Sequence, residues 1–224
     1  MNGAIIELIA ANVAFVGSHF AMSHSLRAPM MAALGNTGFQ IVYSIVSLVT
    51  LAWVYFAFGD APPADLPGTG QIGWVIATVL VLPALVLHVG SLMGNPAMPT
   101  PKASEQARAE PKGVFKVTRH PMMWGFALWA LSHIVLWWSI RTTIVALSIA
   151  ILALVGAKLQ DRKKQSQLGE DWAVWESRTS FWPRWSALAG AGALPWALGL
   201  IFFVFFSWLH IPIAGIPAGI WRWF

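Results

Sequence analysis

The chain has 224 residues, 57% of them hydrophobic and only 10% charged, where a soluble domain carries about 25% charged residues. With a mean hydropathy of +0.64, that deficit excludes a soluble, disordered or repeat-type protein, because too little polar surface exists to cover a compact ball. The absence of cysteine excludes disulfides, thiolate metal sites, iron–sulfur clusters and a thiol nucleophile. A net charge of +5 would suggest nucleic acid in a soluble chain. Here the charge reads as membrane topology, and the expected partner is the lipid bilayer, with no nucleic acid.

At the N-terminus, residues 1–17 lack the basic start of a signal peptide, with Glu7 standing in its place. They read as a retained first helix over 3–24. A spanning helix needs about 20 apolar residues, each adding ~1.5 Å across a ~30 Å hydrocarbon core. Cutting the charge-free stretches at Gly, Pro and polar clusters predicts further helices over 38–58, 73–93, 121–139, 142–159 and 187–209. Helices are required because backbone groups in lipid must be paired within their own segment. The predicted fold is therefore all-α, a single polytopic transmembrane bundle over 1–224 with about six spans. The fifth of these is short, tilted or partly interfacial.

Between the second and third spans, Gly68, Gly70 and Gly73 match the pattern G-x-G-x-x-G. A dinucleotide site requires a preceding strand and a later acidic residue. Neither is present, so these glycines are expected in a turn. Residues 158–185, with Trp172, Trp175, Trp182 and Trp185, read as an interfacial amphipathic segment, or a lid over a site. The tail from Ile211 to Phe224 reads as an aromatic interface anchor. The loops 25–37, 94–120 and 160–186, counted with Lys158, hold twelve of the 14 Lys and Arg residues, leaving Arg141 and Arg222 opposite. This bias puts those loops in the cytoplasm and both termini outside, in a cell inner membrane.

Few polar residues remain inside the spans, and these are the candidates for chemistry. The chain lacks the Glu-x-x-His pairs of a di-iron bundle and any H-E-x-x-H motif. Histidines among aromatic side chains suit a haem, which takes one or two imidazoles in a large apolar slot. His133 lies well inside the fourth span, on one stripe with Met122, Phe126, Trp129 and Trp137. A core histidine donating to a backbone carbonyl is the competing reading. His24 ends the first span and, with Ser25, is placed to cap a helix. His19 and His88 lie about 7–8 Å inside the cytoplasmic boundary at 1.5 Å per residue, where they could meet, and His210 carries no assigned role. In Thr118-Arg119-His120-Pro121, Pro121 is suited to the first helical position. The helix start, with Arg119 as a fixed charge, then favours a phosphate, a carboxylate or a haem propionate.

Residues 113–134, GVFKVTRHPMMWGFALWALSHI, resemble the signature of the NnrU family of membrane proteins, which includes the plant-type 15-cis-ζ-carotene isomerases. Asn95-Pro96, His24-Ser25 and the stretch from Asp161 to Ser180 match as well, so the resemblance covers most of the chain. It implies a polytopic membrane protein. In the isomerase branch it implies haem b held by two histidines, matching His24 and His133, and cis-to-trans isomerisation of a polyene such as a carotenoid. Those isomerases carry a cysteine three residues before the second histidine; here Ala130 stands there, and a switch to a thiolate ligand is impossible. The pair also conflicts with the predicted topology. His24 sits near the surface and His133 about 18 Å deep, while two axial ligands of one iron lie within ~5 Å of each other. His19 or His88 could replace one of them.

A second resemblance is to the membrane isoprenylcysteine and phospholipid methyltransferases. It rests on Arg119, His120, Pro121, Gly125, Asp161, Gly169, Trp172, Trp175, Arg178 and Pro183, and implies S-adenosylmethionine bound by the cytoplasmic histidine and later charged residues. A third reading is a non-enzymatic haem carrier, sensor or assembly factor for a denitrification reductase.

Overall fold

The computed structural model describes residues 3–224, and those residues are all-helical, without strands. In chain order the helices are α1 (Gly3–Ser23), α2 (Arg27–Asp60), α3 (Gly70–Gly90), α4 (Ala103–Arg108), α5 (Pro121–Leu136), α6 (Ile140–Leu168), α7 (Glu170–Arg178) and α8 (Ala193–Ala214). Short 3-10 helices lie at Gly113–Lys116, Trp185–Ala191 and Gly219–Arg222. Helices α1, α2, α3, α6 and α8 are long and apolar enough to cross a membrane. Their outward faces carry Leu48, Phe56, Ile72 and Ile201, each more than half exposed, which is the surface of a protein solvated by lipid. The chain is a multi-pass membrane protein.

Three predicted spans differ in length from expectation. The fourth, predicted to reach residue 139, stops at Leu136 because Trp137 turns left-handed at φ 44°. Its 16 residues extend only about 24 Å, short of a full span. The fifth, expected to be the short one, runs 29 residues to Leu168, because Lys158–Leu168 continues the helix instead of opening a loop. The second begins at Arg27 and is bent at Gly35, whose φ of 66° interrupts the helix.

α3 is the central element, packing on both α5 and α8, whereas α1 packs on α2 and α6; contact between α5 and α6 joins the two groups. Small residues allow this closeness. A Cβ placed on Gly125 of α5 would stand 2.7 Å from the Ala84 carbonyl oxygen, and one on Gly199 of α8 would stand 2.7 Å from a methyl of Val86. Helices α5 and α8 themselves share almost no contact.

At the end of the bundle carrying the basic loops, a compact core forms around Trp172 and Trp175, 0% and 2% exposed, with Val114, Phe115 and Val117. These two tryptophans are therefore interior residues, in contrast to the interfacial role predicted for them; only Trp182 and Trp185 of that segment are exposed. Arg108 of α4 binds Asp171 of α7, with Nε 2.5 Å from Oδ1. Hydrogen bonds from Arg108 and Ser104 hold that carboxyl below the usual carboxylate range. At the other end the tail folds back: Trp221 donates to the Val204 carbonyl at 3.1 Å and Arg222 lies over the Trp74 ring.

Replacing Gly125 by Val should destabilise the protein by about 1–3 kcal/mol, the cost of overpacking a close contact. The same change at Gly17, whose Cβ would meet open space, should leave the melting temperature in detergent nearly unchanged. Equal melting temperatures for the two variants would contradict the central packing role of α3.

Candidate functional site

Because α5 is too short to span, both of its ends need partners from elsewhere in the chain. Pro121 opens it at the first helical position, as the sequence predicts, and His120 and Arg119 turn back toward α6. There Asp161 accepts from His120 Nε2 at 2.7 Å and from Arg119 through Nε at 3.0 Å and Nη2 at 2.7 Å. Arg119 Nη2 also reaches Glu176 of α7 at 3.1 Å, and its guanidinium lies over the Phe181 ring. Thr118 donates to the carbonyls of Ser180 and Phe181, Arg119 N donates to Ser180 at 2.8 Å, and Trp124 Nε1 donates to Phe181 at 2.8 Å. The segment 118–124 is thereby fixed to the strap at 180–181.

The side chains of His120 and Asp161 are 0% and 7% exposed. His120 Nε2 faces the carboxylate, and its Nδ1 is buried and without a protein partner. A cavity of about 30 Å³ lined by Asn95, Ala97, His120, Met122, Met123 and Gln160 adjoins it, room for about two waters. This arrangement places an unpartnered imidazole nitrogen beside room for water. It does not offer Arg119 to an external anion, because that charge is already neutralised by Asp161 and Glu176; the predicted phosphate or propionate contact is corrected on this point. Asp161 enters the sequence reading only through the two family resemblances, since nothing in the local pattern shows that a residue 41 positions on would meet His120.

At the far end of α5, the turn before α3 seals the last carbonyls. Leu66 N donates to Trp138, Gly68 N to Trp137 and Thr69 N to Leu136, and Thr69 Oγ1 donates to Val135 at 2.8 Å. Gly68 and Gly70 adopt positive φ, so the glycine pattern supplies a turn, as expected, that caps another helix. One turn inside this seal lies His133. Its Nδ1 bonds the Trp129 carbonyl at 2.8 Å, and its ring is 4.3 Å from the Trp129 ring. The next imidazole is His210 of α8, with ring centroids 6.3 Å apart and planes 29° apart. His210 Nδ1 likewise bonds the Phe206 carbonyl at 2.7 Å. A carbonyl only accepts, so both rings carry their proton on Nδ1 and keep Nε2 as a free lone pair.

The structure does not bring His24 and His133 together. His24 faces Lys163, two residues beyond Asp161 and so at the His120 end; His133 is 13 residues further along α5, about 20 Å away. Ser25 bonds back to Ala21 without capping α2. His19 donates to the Phe15 carbonyl and meets Ser47, whereas His88 packs on Phe126; they stand in different helix groups and do not meet. Of the predicted aromatic stripe, only Trp129 adjoins His133. Phe126 turns to His88, Met122 lines the small cavity, and Trp137 is nearly half exposed.

Asp161→Asn removes the buried carboxylate shared by Arg119 and His120 and, with Glu176 still on Arg119, should cost about 1–3 kcal/mol, the range for leaving buried polar groups unsatisfied; thermal unfolding in detergent would measure it. Partial burial, and secondarily the Lys163 ammonium, hold the His24 imidazole below its ordinary value. Lys163→Ala should therefore raise the His24 pKa in an NMR titration. An unmoved value would separate His24 from α6.

Among known proteins, the chain is 28% identical over 190 residues to the chloroplastic 15-cis-zeta-carotene isomerase of Arabidopsis thaliana, covering 79% of this chain and 50% of the relative. It is 35% identical over 85 residues to the chloroplastic 15-cis-zeta-carotene isomerase of Zea mays, covering 37% of this chain and 23% of the relative. The chain thus spans half or less of the length of the curated relatives it matches. No solved structure matches it. The family described as NnrU protein matches residues 7–218, nearly the whole helical bundle described above, and this chain belongs to that family.

Proposed function

We propose that this protein is a haem-binding integral membrane protein that isomerises a cis double bond of a carotenoid-like polyene. Its basic loops face the cytoplasm and both termini face outward, across a cell inner membrane. The observation that carries the reading is the family match over residues 7–218, with two 15-cis-zeta-carotene isomerases among the relatives; at His133 a backbone carbonyl holds Nδ1–H, as in a core histidine, and Nε2 is left as a ligand. Metal-binding histidines are oriented in this manner. The donor set fits a haem iron at His133, and it does not fit the pair His24 and His133, which stand about 20 Å apart. A bound haem would supply an iron that interacts with the polyene and lowers the barrier to rotation about one double bond.

The protein's own residues perform the remaining work. Helix α8 turns Phe205 and Trp208 outward toward lipid, the phase in which a polyene dissolves. Trp129 fixes the imidazole through its carbonyl and packs along its ring. The 66–69 turn closes the end of α5 and so keeps backbone polar groups away from the substrate path. Ala130, fully buried, leaves no thiol to compete for the iron. Isomerisation transfers no atoms, so it needs no acid–base pair at this depth, and the buried pair of His120 and Asp161 lies at the other end of α5.

The relatives named as 15-cis-zeta-carotene isomerases support the substrate class. Methyl transfer has no specific support in the geometry. The carboxylate matched to the adenosylmethionine site is bonded to Arg119 and His120, and the adjoining cavity is an order of magnitude below the ~300 Å³ of a small-molecule pocket. A haem carrier for a denitrification reductase differs from the proposal only in turnover.

Protein purified from haem-replete cells should show a Soret band that shifts on reduction, and His133→Ala should lose most of it. Wild-type protein should convert a di-cis polyene to the mono-cis product. A colourless wild type, or full haem occupancy in His133→Ala, would overturn the reading; a haem-loaded protein without turnover would point to the carrier.

A further inference from the structure

At the basic end of the bundle, three cationic side chains and an imidazole converge where α1, α2 and α6 come together. Lys163 and Lys164 of α6 both feel the charge of Arg27, which opens α2, and Lys163 also feels Lys164. His24, at the end of α1, faces Lys163. Lys164 is 6% exposed, and its Nζ donates to the Met98 carbonyl at 3.2 Å. One turn earlier Gln160 donates to the Ala97 carbonyl at 3.1 Å, so this face of α6 is fixed to the 97–98 loop. An ammonium has three donors, and this contact uses only one of those on Lys164. Arg27 and Lys163 are half-buried, and the Arg27 guanidinium lies over the Phe39 ring at 4.7 Å. No described carboxylate forms an ion pair with Arg27, Lys163 or Lys164. Of the acidic residues on these three helices, Glu7 and Asp60 stand at the opposite end, and Asp161 is already bonded to Arg119 and His120.

Like charges gathered together and drawn out of water repel, which is why buried charges are found paired. A single lysine at a helix end can snorkel to water, but three cations converging from two helices, one of them buried, call for an anion. Their level in the bundle indicates its source. Apolar residues run to Met22 in α1 and to Ala157 in α6, so Arg27 and Lys163 lie within about two turns, roughly 11 Å, of the hydrocarbon boundary. That is the level of the lipid headgroups. We infer that His24 of α1, Arg27 of α2, and Lys163 and Lys164 of α6 form a binding site for the phosphate of an anionic lipid headgroup. Basic pockets between spanning helices recognise lipid in this manner. Arg27 offers a planar fork that matches two phosphate oxygens, and the lysines act as point charges. The site lies at the opposite end of α5 from His133 and stands whether or not the isomerase reading holds.

The experiment uses the full-length protein in uncharged detergent, titrated in turn with phosphatidylglycerol, phosphatidylcholine and inorganic phosphate, and followed by thermal unfolding and native mass spectrometry. Phosphatidylglycerol should raise the melting temperature of the wild type saturably, as a ligand of the folded state does, and should remain bound after excess lipid is removed. Phosphatidylcholine and inorganic phosphate at the same concentrations should do neither. Arg27→Gln combined with Lys163→Gln should still unfold cooperatively without lipid, and should bind phosphatidylglycerol about tenfold or more weakly, the effect of two lost basic groups. Lys112→Gln combined with Lys116→Gln removes equal charge from exposed positions at the same end and should bind as the wild type does. Should the first pair fail to unfold cooperatively, Lys163→Gln alone gives the same comparison. Undiminished binding without Arg27 and Lys163, or an equal loss in both double variants, overturns the site and leaves only general surface charge. Inorganic phosphate that saturates the wild type as readily as the lipid overturns the lipid as the ligand and assigns the cations to a soluble phosphate.

Discussion

A helix of 16 residues in a membrane protein cannot reach water at both ends, so its terminal backbone groups and flanking charges must find partners in the rest of the chain. Helix α5 depends on this constraint. At one end Asp161 of α6 gathers His120 and Arg119. At the other, Leu66, Gly68 and Thr69 satisfy the last carbonyls. Between these anchors Gly125 lets α5 lie against α3. Its position and rotation are thereby fixed, and with them the depth of His133. The candidate site is a consequence of how a short helix is held.

The two ends of α5 separate two kinds of histidine chemistry. His120 shares a buried carboxylate with a guanidinium, in an ionic cluster that also reaches Glu176. Removing one member of such a cluster leaves the others uncompensated, so the cluster acts as a unit. His133 has no charged partner. Its neighbours are a tryptophan, a carbonyl, a serine and a second imidazole. An imidazole in that setting has only neutral neighbours, whereas His120 has its Nδ1 beside a small cavity with room for water. The sequence reading groups Arg119 and His120 with His24 and His133 as cofactor residues; the structure divides them, with His24, Arg119 and His120 at the basic end and His133 at the other.

Composition alone carried the fold class. With charged residues at 10% and long charge-free stretches, the chain has to be helical and polytopic, because no other single-chain arrangement built from such segments pairs its backbone in lipid. The segregation of basic residues was equally legible: the segments around Arg27, Lys116 and Lys164 gather at one end of the bundle. Pro121 as a helix start and Gly68 and Gly70 as turn residues follow from local backbone chemistry, which sequence reports well. The lengths of α5 and α6 were not legible. Apolarity runs through both, and the stop lies at a left-handed Trp137 whose carbonyl accepts from Gly68, far away in the chain.

The site depended on the tertiary structure for the same reason. Asp161 is 41 residues from His120, and His210 is 77 residues from His133; neither partner has a periodicity that announces it. Sequence could nominate imidazoles by type and approximate depth. Which of them face one another was decided by α3, whose close contacts at Gly125 and Gly199 set α5 and α8 side by side without letting them touch. Sequence therefore determined a lipid-solvated helical bundle with histidines inside it, because those properties are sums over residues. The packing of small residues against one central helix decided their pairing, because that is a property of contacts between distant segments.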